Sequence, residues 1–225
     1  MRLIEVAGLH KCFGSGNACT WALNGIDLGL DAGSYTVLEG RSGSGKTTLL
    51  NCIGALELPT RGEVLVAGQS LSRLSPDERA AFRLHHIGFI FQAYNLMGIL
   101  TARENVAYPL QLKGAGRRQA LRQADHWLAQ VDLAGLGSRR PSELSGGQQQ
   151  RVAVVRALAS GPDIVLADEP TANLDTVTGE ALVELLRRLN REYGTTFLIA
   201  SHDPAVIESA PDVICLQDGR VCAQP

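Results

Sequence analysis

Gly40-Arg41-Ser42-Gly43-Ser44-Gly45-Lys46-Thr47 follows the apolar run Tyr35-Thr36-Val37-Leu38 and precedes the helix-like Thr48-Leu49-Leu50-Asn51-Cys52-Ile53. The stretch fits G-x-x-x-x-G-K-[ST] between a strand and a helix, the context that gives this pattern its meaning. Such a loop curls its backbone N–H groups around phosphate oxygens, and glycine keeps side chains out of the way. The helix behind it turns its positive end toward the same charge. Lys46 is placed to reach the β- and γ-phosphates, and the Thr47 hydroxyl to ligate Mg²⁺. The candidate nucleotide contacts are therefore Gly40, Arg41, Ser42, Gly43, Ser44, Gly45, Lys46, Thr47 and Thr48. The pattern predicts an α/β fold around a nucleotide phosphate cradle.

Bulk properties bound the rest. The chain has 225 residues, enough for a full core. Its formal net charge is −2, so it lacks the basic field that holds nucleic acid, and no nucleic-acid partner is expected. The start Met1-Arg2-Leu3-Ile4-Glu5 has no signal-like apolar region, and no apolar run approaches a membrane-spanning length, so a cytoplasmic chain is expected. Cys12, Cys19, Cys52, Cys215 and Cys222 lack C-x-x-C spacing and are expected to be reduced thiols.

Outward from the loop, Leu3–Val6 and the alternation of Leu23, Ile26, Leu28 and Leu30 predict a β-rich N-terminal edge. Gly62–Gly68 reads as a strand. Ser75-Pro76-Asp77-Glu78 opens a helix with an N-cap, a proline at the first position and a capping-box glutamate. Ile87–Phe91 is a buried strand ending at Gln92. Residues 93–160 turn helical: Thr101-Ala102-Arg103-Glu104 is another capping box, Pro109 should end or kink its helix, and Val152, Val155 and Leu158 recur at helical spacing. Ile164–Asp168 has the continuous apolar texture of a parallel strand buried on both faces. A helix with Leu182, Leu185, Leu186 and Leu189 on one side follows, then the strand Thr195–Ala200 and a terminal hairpin turning at Asp218-Gly219. In that hairpin Gln217 pairs with Arg220, which puts Cys215 opposite Cys222. Alternating strands and helices favour a mainly parallel sheet.

Two further clusters carry chemistry. Asp168 and Glu169 leave the C-terminal end of a buried strand, where α/β sheets present their ligand site. Beside the phosphate loop, Asp168 suits Mg²⁺ and Glu169 suits a general base for the attacking water; alone, the pair could be ordinary strand-exit acids. Ser145-Gly146-Gly147-Gln148 is a second glycine turn opening a helix, hence a second anion site or simply a Ser-capped helix start.

Leu144-Ser145-Gly146-Gly147-Gln148, followed by Gln149-Gln150-Arg151-Val152-Ala153, resembles the signature of the ATP-binding-cassette (ABC) ATPases, and the resemblance runs through the whole chain. It implies the ABC ATPase form of the P-loop fold: one domain over residues 1–225, with a nucleotide-binding core over 1–92 and 161–225 and an inserted helical subdomain over 93–160. It implies a head-to-tail dimer with a second copy, in which Ser145, Gly146, Gly147 and Gln148 meet the ATP bound by the partner. Gln92 is similar to the family's glutamine that touches Mg²⁺ and the attacking water, though it could be a surface residue at a strand end. Asp175, in Asn173-Leu174-Asp175, is similar to the loop crossing to the other subunit. His202 is similar to the γ-phosphate histidine, and could equally cap the Asp203-Pro204 helix start. Phe13 falls where an aromatic ring stacks on adenine, with core packing and the competing ring of Trp21 as alternatives.

Within the family, Ile87–Gln92, Tyr94-Asn95-Leu96, Leu100–Val106 and Gln148–Arg151 resemble the lipoprotein-release, macrolide-export and cell-division branch; Ala172 and Ser201 depart from it, both as small residues. The resemblance implies ATP hydrolysis that drives a separate membrane permease, with this chain peripheral on the inner face of the cell membrane. A mechanical role in cell division and a soluble ABC ATPase acting on nucleic acid or the ribosome are the alternatives. Residues 93–100, apolar but broken by Asn95 and Gly98, are either packed under the helical subdomain or exposed as a groove for a permease helix.

Overall fold

A computed structural model describes residues 1–14 and 19–222. Its centre is β3 (Tyr35–Glu39), flanked in parallel by β8 (Thr196–Ser201) on one side and β9 (Asp212–Gln217) on the other. Next to β8 run β7 (Ile164–Asp168) and then β6 (Ile87–Ile90), both parallel, while the two-residue β10 (Arg220–Val221) closes the other edge antiparallel. All six residues of β8 are buried, the expected consequence of a strand covered on both faces.

A second, antiparallel sheet packs against the first. It contains β1 (Arg2–Phe13), β2 (Thr20–Asp31), β4 (Arg61–Val66) and β5 (Gln69–Ser70) in the order β2-β1-β4-β5. β1 and β2 are longer than the alternation predicts, because register shifts between Val6 and Leu9 interrupt the period while pairing continues to Phe13 and Thr20.

Seven helices complete the described chain: α1 (Lys46–Ile53), α2 (Pro76–His86), α3 (Ala102–Leu112), α4 (Arg117–Gln130), α5 (Gly146–Ala159), α6 (Thr176–Tyr193) and α7 (Pro204–Glu208). Ser75, Thr101 and Ser145 each close a reciprocal capping box with the side chain three residues on, at α2, α3 and α5. Of the two expectations for Pro109, α3 corrects the first: the proline does not end the helix, which runs past it to Leu112. The proline lies one turn from the end, so only one intrahelical bond is lost, and Lys113 N–H still bonds the Pro109 carbonyl at 3.1 Å.

Two apolar clusters sandwich the parallel sheet. One joins β1, β2, β4 and α1 to one sheet face. The other joins α3, α4, α5 and α6 to the opposite face through residues such as Val37, Val165, Phe197 and Ile199. On α6 the leucines at 182, 185, 186 and 189 are all buried, each worth about 1.5–3 kcal/mol of transfer free energy. The terminal hairpin has the predicted register, Gln217 opposite Arg220, and Cys222 N–H bonds the Cys215 carbonyl at 2.9 Å.

The thiol expectation needs one correction. Cys12 and Cys19 form a disulfide with Cα atoms 5.8 Å apart, because β1 and β2 bring the two ends of their connection side by side. Cys52, Cys215 and Cys222 are free.

Candidate functional site

The loop between β3 and α1 lies at the C-terminal edge of the parallel sheet. Gly45 precedes α1 with φ +105°, and a Cβ there would stand 2.6 Å from the Ala22 carbonyl, so only glycine fits. The loop is braced from behind by the terminal hairpin: Gly219 N–H donates to the Ser44 carbonyl at 3.0 Å, and Asn24 N–H donates to the Gly219 carbonyl at 2.7 Å. In front opens a cleft of about 340 Å³, lined by Ala22, residues 41–48, Gln92, Asp168, Glu169, Ala172 and His202. Gly40 lies behind it, its Cα facing the Leu216 carbonyl.

Charge inside the cleft is tightly paired. Lys46, with only 6% of its side chain exposed, donates to the Gly40 carbonyl at 2.6 Å and lies 3.2 Å from Glu169 Oε1. The same carboxylate oxygen is 2.9 Å from Nδ1 of the exposed His202, and Ser201 Oγ is 3.4 Å from Glu169 Oε2. Glu169 has φ +45°, a strained value for a non-glycine residue, and its N–H is tied to the Ala200 carbonyl at 2.9 Å. β7 and β8 thus aim this carboxylate at the phosphate loop. Asp168 accepts from Thr47 Oγ1 at 2.9 and 3.1 Å. Burial pushes the Asp168 carboxyl above its ordinary range; the Thr47 hydrogen bonds oppose this, the Glu169 charge adds to it and Lys46 opposes it.

This oxygen set fits a hard divalent cation. Thr47 and Asp168 already converge, and a buried carboxylate held above its usual pKa gains from a nearby cation. Mg²⁺ usually takes only one or two protein oxygens and completes its shell with phosphate and water.

The other candidate residues fall elsewhere. Ser145, Gly146, Gly147 and Gln148 form the first turn of α5, away from the cleft lining. Ser145 Oγ accepts from Gln148 N–H at 3.3 Å, and Gln148 Oε1 accepts from Ser145 N–H at 3.0 Å. A Cβ at Gly147 would stand 2.6 Å from the Thr178 methyl of α6, so this turn packs against the segment after Asn173-Leu174-Asp175. Asp175 is the N-cap of α6, accepting from Thr178 N–H at 3.0 Å and Thr178 Oγ1 at 2.7 Å, and these bonds lower its pKa. Phe13 lies on the last pair of the β1–β2 ladder, half exposed, with the Lys11 ammonium 5.0 Å from its ring centroid and outside the cleft lining.

Gln92 is exposed in a turn just past β6, and Asn173 Nδ2 donates to its carbonyl at 2.8 Å. Residues 93–100 form no helix or strand; Leu96 packs on the helical cluster, while Ile99 is 83% exposed. The long-range partners of two side chains escaped the sequence reading. Gln150 of α5, fully buried, donates to the Pro170 carbonyl at 2.7 Å beside Glu169, and Arg156 holds the segment after Gln92. Gln150 stands in the quoted motif and Arg156 in none, but neither contact is written in the local sequence, since each is defined by its long-range partner.

Comparison with known proteins places this geometry. A family profile described as ABC transporter matches residues 23–172. The lipoprotein-releasing system ATP-binding protein LolD of Anaeromyxobacter dehalogenans is 46% identical over 98% of this chain and 92% of its own length. The macrolide export ATP-binding/permease protein MacB of Neisseria gonorrhoeae is 43% identical over 98% of this chain; the chain spans about a third of such MacB relatives, 34% in this case. Among solved structures, the dimeric ATP-binding cassette MJ0796 bound to ADP and Pi in a post-hydrolysis state is 40% identical, with a TM-score of 0.90 over 97% of this chain and 96% of that one.

Proposed function

The chain belongs to the ABC transporter family of ATP-binding cassettes, and from that premise we propose that it is the ATP-hydrolysing subunit that drives a separate membrane permease of the lipoprotein, drug or peptide export type. The observation that carries this reading is the placement of Glu169 between Lys46 and His202, at the mouth of a glycine cradle whose threonine meets Asp168.

In this reading residues 41–48 wrap the phosphates of ATP, and Lys46 exchanges its bond to Glu169 for the β- and γ-phosphate oxygens. That exchange frees a carboxylate oxygen, and Glu169 takes the proton of the attacking water. His202, already directed at Glu169 through Nδ1, faces the γ-phosphate, and Gln92 orients the water from the opposite side. Thr47, Asp168 and Gln92 would hold Mg²⁺, which supplies charge neutralisation at the phosphates when bound. Phe13 at the β1–β2 tip stacks on adenine.

The second cradle supports a composite site. Ser145, Gly146, Gly147 and Gln148 close over the ATP of a second copy packed head to tail, and Asp175 reaches the partner's phosphate loop. The helical region 93–160 moves against the core of 1–92 and 161–225, and residues 93–100 meet a permease helix. Through that permease the chain sits peripherally on the inner face of the membrane; no helix among the described residues is long and apolar enough to cross it.

The test is Glu169→Gln, which keeps the side chain's shape and removes its basicity. Turnover should vanish while ATP binding remains; a variant that hydrolyses ATP at the wild-type rate sinks the reading.

A further inference from the structure

Tyr94 and Asn95 adopt φ values of +61° and +49°, a consecutive left-handed pair that no glycine relieves. L-residues enter that region at a cost and stay only where surrounding contacts hold them. Here the holder is Arg156, from the far half of α5. One guanidinium nitrogen donates to the Tyr94 carbonyl at 2.9 Å and another to the Asn95 carbonyl. Among the described residues no acid pairs with Arg156, and burial lowers its pKa, so a charged group has been desolvated to serve two backbone carbonyls. Guanidinium suits this, because its rigid fork serves two acceptors at once.

The held turn begins two residues after Gln92. It also touches the opposite end of the same helix: a Cβ on Gly146 would lie 3.1 Å from the Tyr94 hydroxyl. Gly146 and Arg156 stand ten residues apart, or about 15 Å along α5 at 1.5 Å per residue. One stiff helix therefore grips the turn near both of its ends. Another tether runs to the catalytic side, through Asn173 Nδ2 on the Gln92 carbonyl; within the segment Tyr94 N–H bonds the Phe91 carbonyl and the Asn105 amide holds Met97, so Arg156 is the contact that reaches the carbonyls of the left-handed pair.

We propose that Arg156 is a positioning residue: by holding Tyr94 and Asn95 in their left-handed turn it sets the place of Gln92, and makes α5 the rigid link through which contact at Ser145 is felt at Gln92. The proposal rests on the ATPase reading only for its effect on turnover; the clamp itself is testable without nucleotide.

The experiment pairs amide exchange with kinetics on Arg156→Met. In the nucleotide-free protein, exchange should quicken by tenfold or more in residues 93–97 and stay within twofold in Val152–Ala159 of α5. A purely packing role would loosen α5 instead, and that pattern overturns the proposal. Under saturating ATP, kcat should fall about tenfold with nucleotide affinity within twofold of wild type. The clamp also predicts rescue: adding Asn95→Gly, which removes the steric cost of a positive φ, should recover at least threefold of the lost kcat. A double variant no faster than Arg156→Met contradicts it. If Arg156→Met does not fold, Arg156→Lys, which keeps the charge but not the fork, takes the same exchange measurement, and unchanged protection of 93–97 there overturns the clamp. A wild-type protein without ATPase activity would refute the functional reading while leaving the exchange result to decide the clamp.

Discussion

Two glycine turns in this chain each open a helix and stand in opposite circumstances. The turn ending at Gly45 opens α1 into a cleft already furnished with Lys46, Thr47, Asp168, Glu169 and His202. The turn at Ser145 opens α5 with a complete capping box, yet none of its residues lines that cleft or faces its acids. A helix N-terminus carrying glycines is suited to an anion in both places, but only one has the groups to react with it. On the proposed reading, the difference is that between a catalytic half-site and a bare phosphate contact. A second copy reconciles them, because each then supplies what the other lacks.

The largest expected effect lies in the furnished half. Glu169→Gln should lower kcat by roughly 10²–10⁴-fold, the span of a general base, with ATP affinity retained. Steady-state phosphate release and equilibrium ATP binding on one preparation separate the two quantities. Lys46→Ala removes the cation facing the phosphates and should weaken ATP binding by roughly 10–100-fold, the equivalent of about 1.5–3 kcal/mol for a charged hydrogen bond, as read by calorimetry.

Changes at the bare turn should separate binding from turnover. Ser145→Arg is expected to leave ATP affinity within about twofold while hydrolysis falls by about tenfold or more, since it fouls a site in the other subunit. Equal hydrolysis by Ser145→Arg and wild type would make the two turns independent and end the comparison.

A smaller effect is expected where the helical region meets a partner. Ile99→Ala, at the exposed end of residues 93–100, should spare basal hydrolysis and lower permease binding and permease-stimulated turnover several-fold, about 1 kcal/mol at the interface. A lower melting temperature with lost basal activity would instead mark this side chain as core. Smallest is the stability of the metal-side acid. Burial raises the Asp168 carboxyl, so the folded chain holds that proton more tightly than the unfolded one, and the ionised side chain costs stability above its folded pKa. Asp168→Asn should therefore melt higher than wild type at neutral pH. The gain should shrink as pH falls through the raised pKa toward the ordinary carboxylate range. Melting curves from pH 4 to pH 8, without nucleotide or divalent cation, check the trend.

Much of this was legible in local sequence, for a physical reason. Capping boxes at Ser75 and Thr101 depend on side chains three residues apart, and both form as read; Ser145, read as a second anion site or a helix cap, also closes one with Gln148. The parallel strands show as unbroken apolar runs because both faces are covered, as β7 and β8 are. The length of β1 was hidden by its register shifts, and Pro109 misled because its cost depends on its distance from the helix end. The contacts of Arg156 and Gln150 and the bracing of Ser44 by Gly219 were invisible, joining residues 20 to 175 positions apart. Lys46, Asp168 and Glu169 were legible because motif and strand end each mark a place on the sheet, and the fold brings those places together.

The central claim is that the two turns complete each other across two copies of the chain, and the mass of Glu169→Gln by light scattering with saturating ATP and Mg²⁺ tests it most directly. The account predicts a particle of twice 24.0 kDa that returns to a single chain when ATP is withdrawn or Ser145→Arg is added. A single-chain mass at saturating ATP, with nucleotide demonstrably bound, would contradict it.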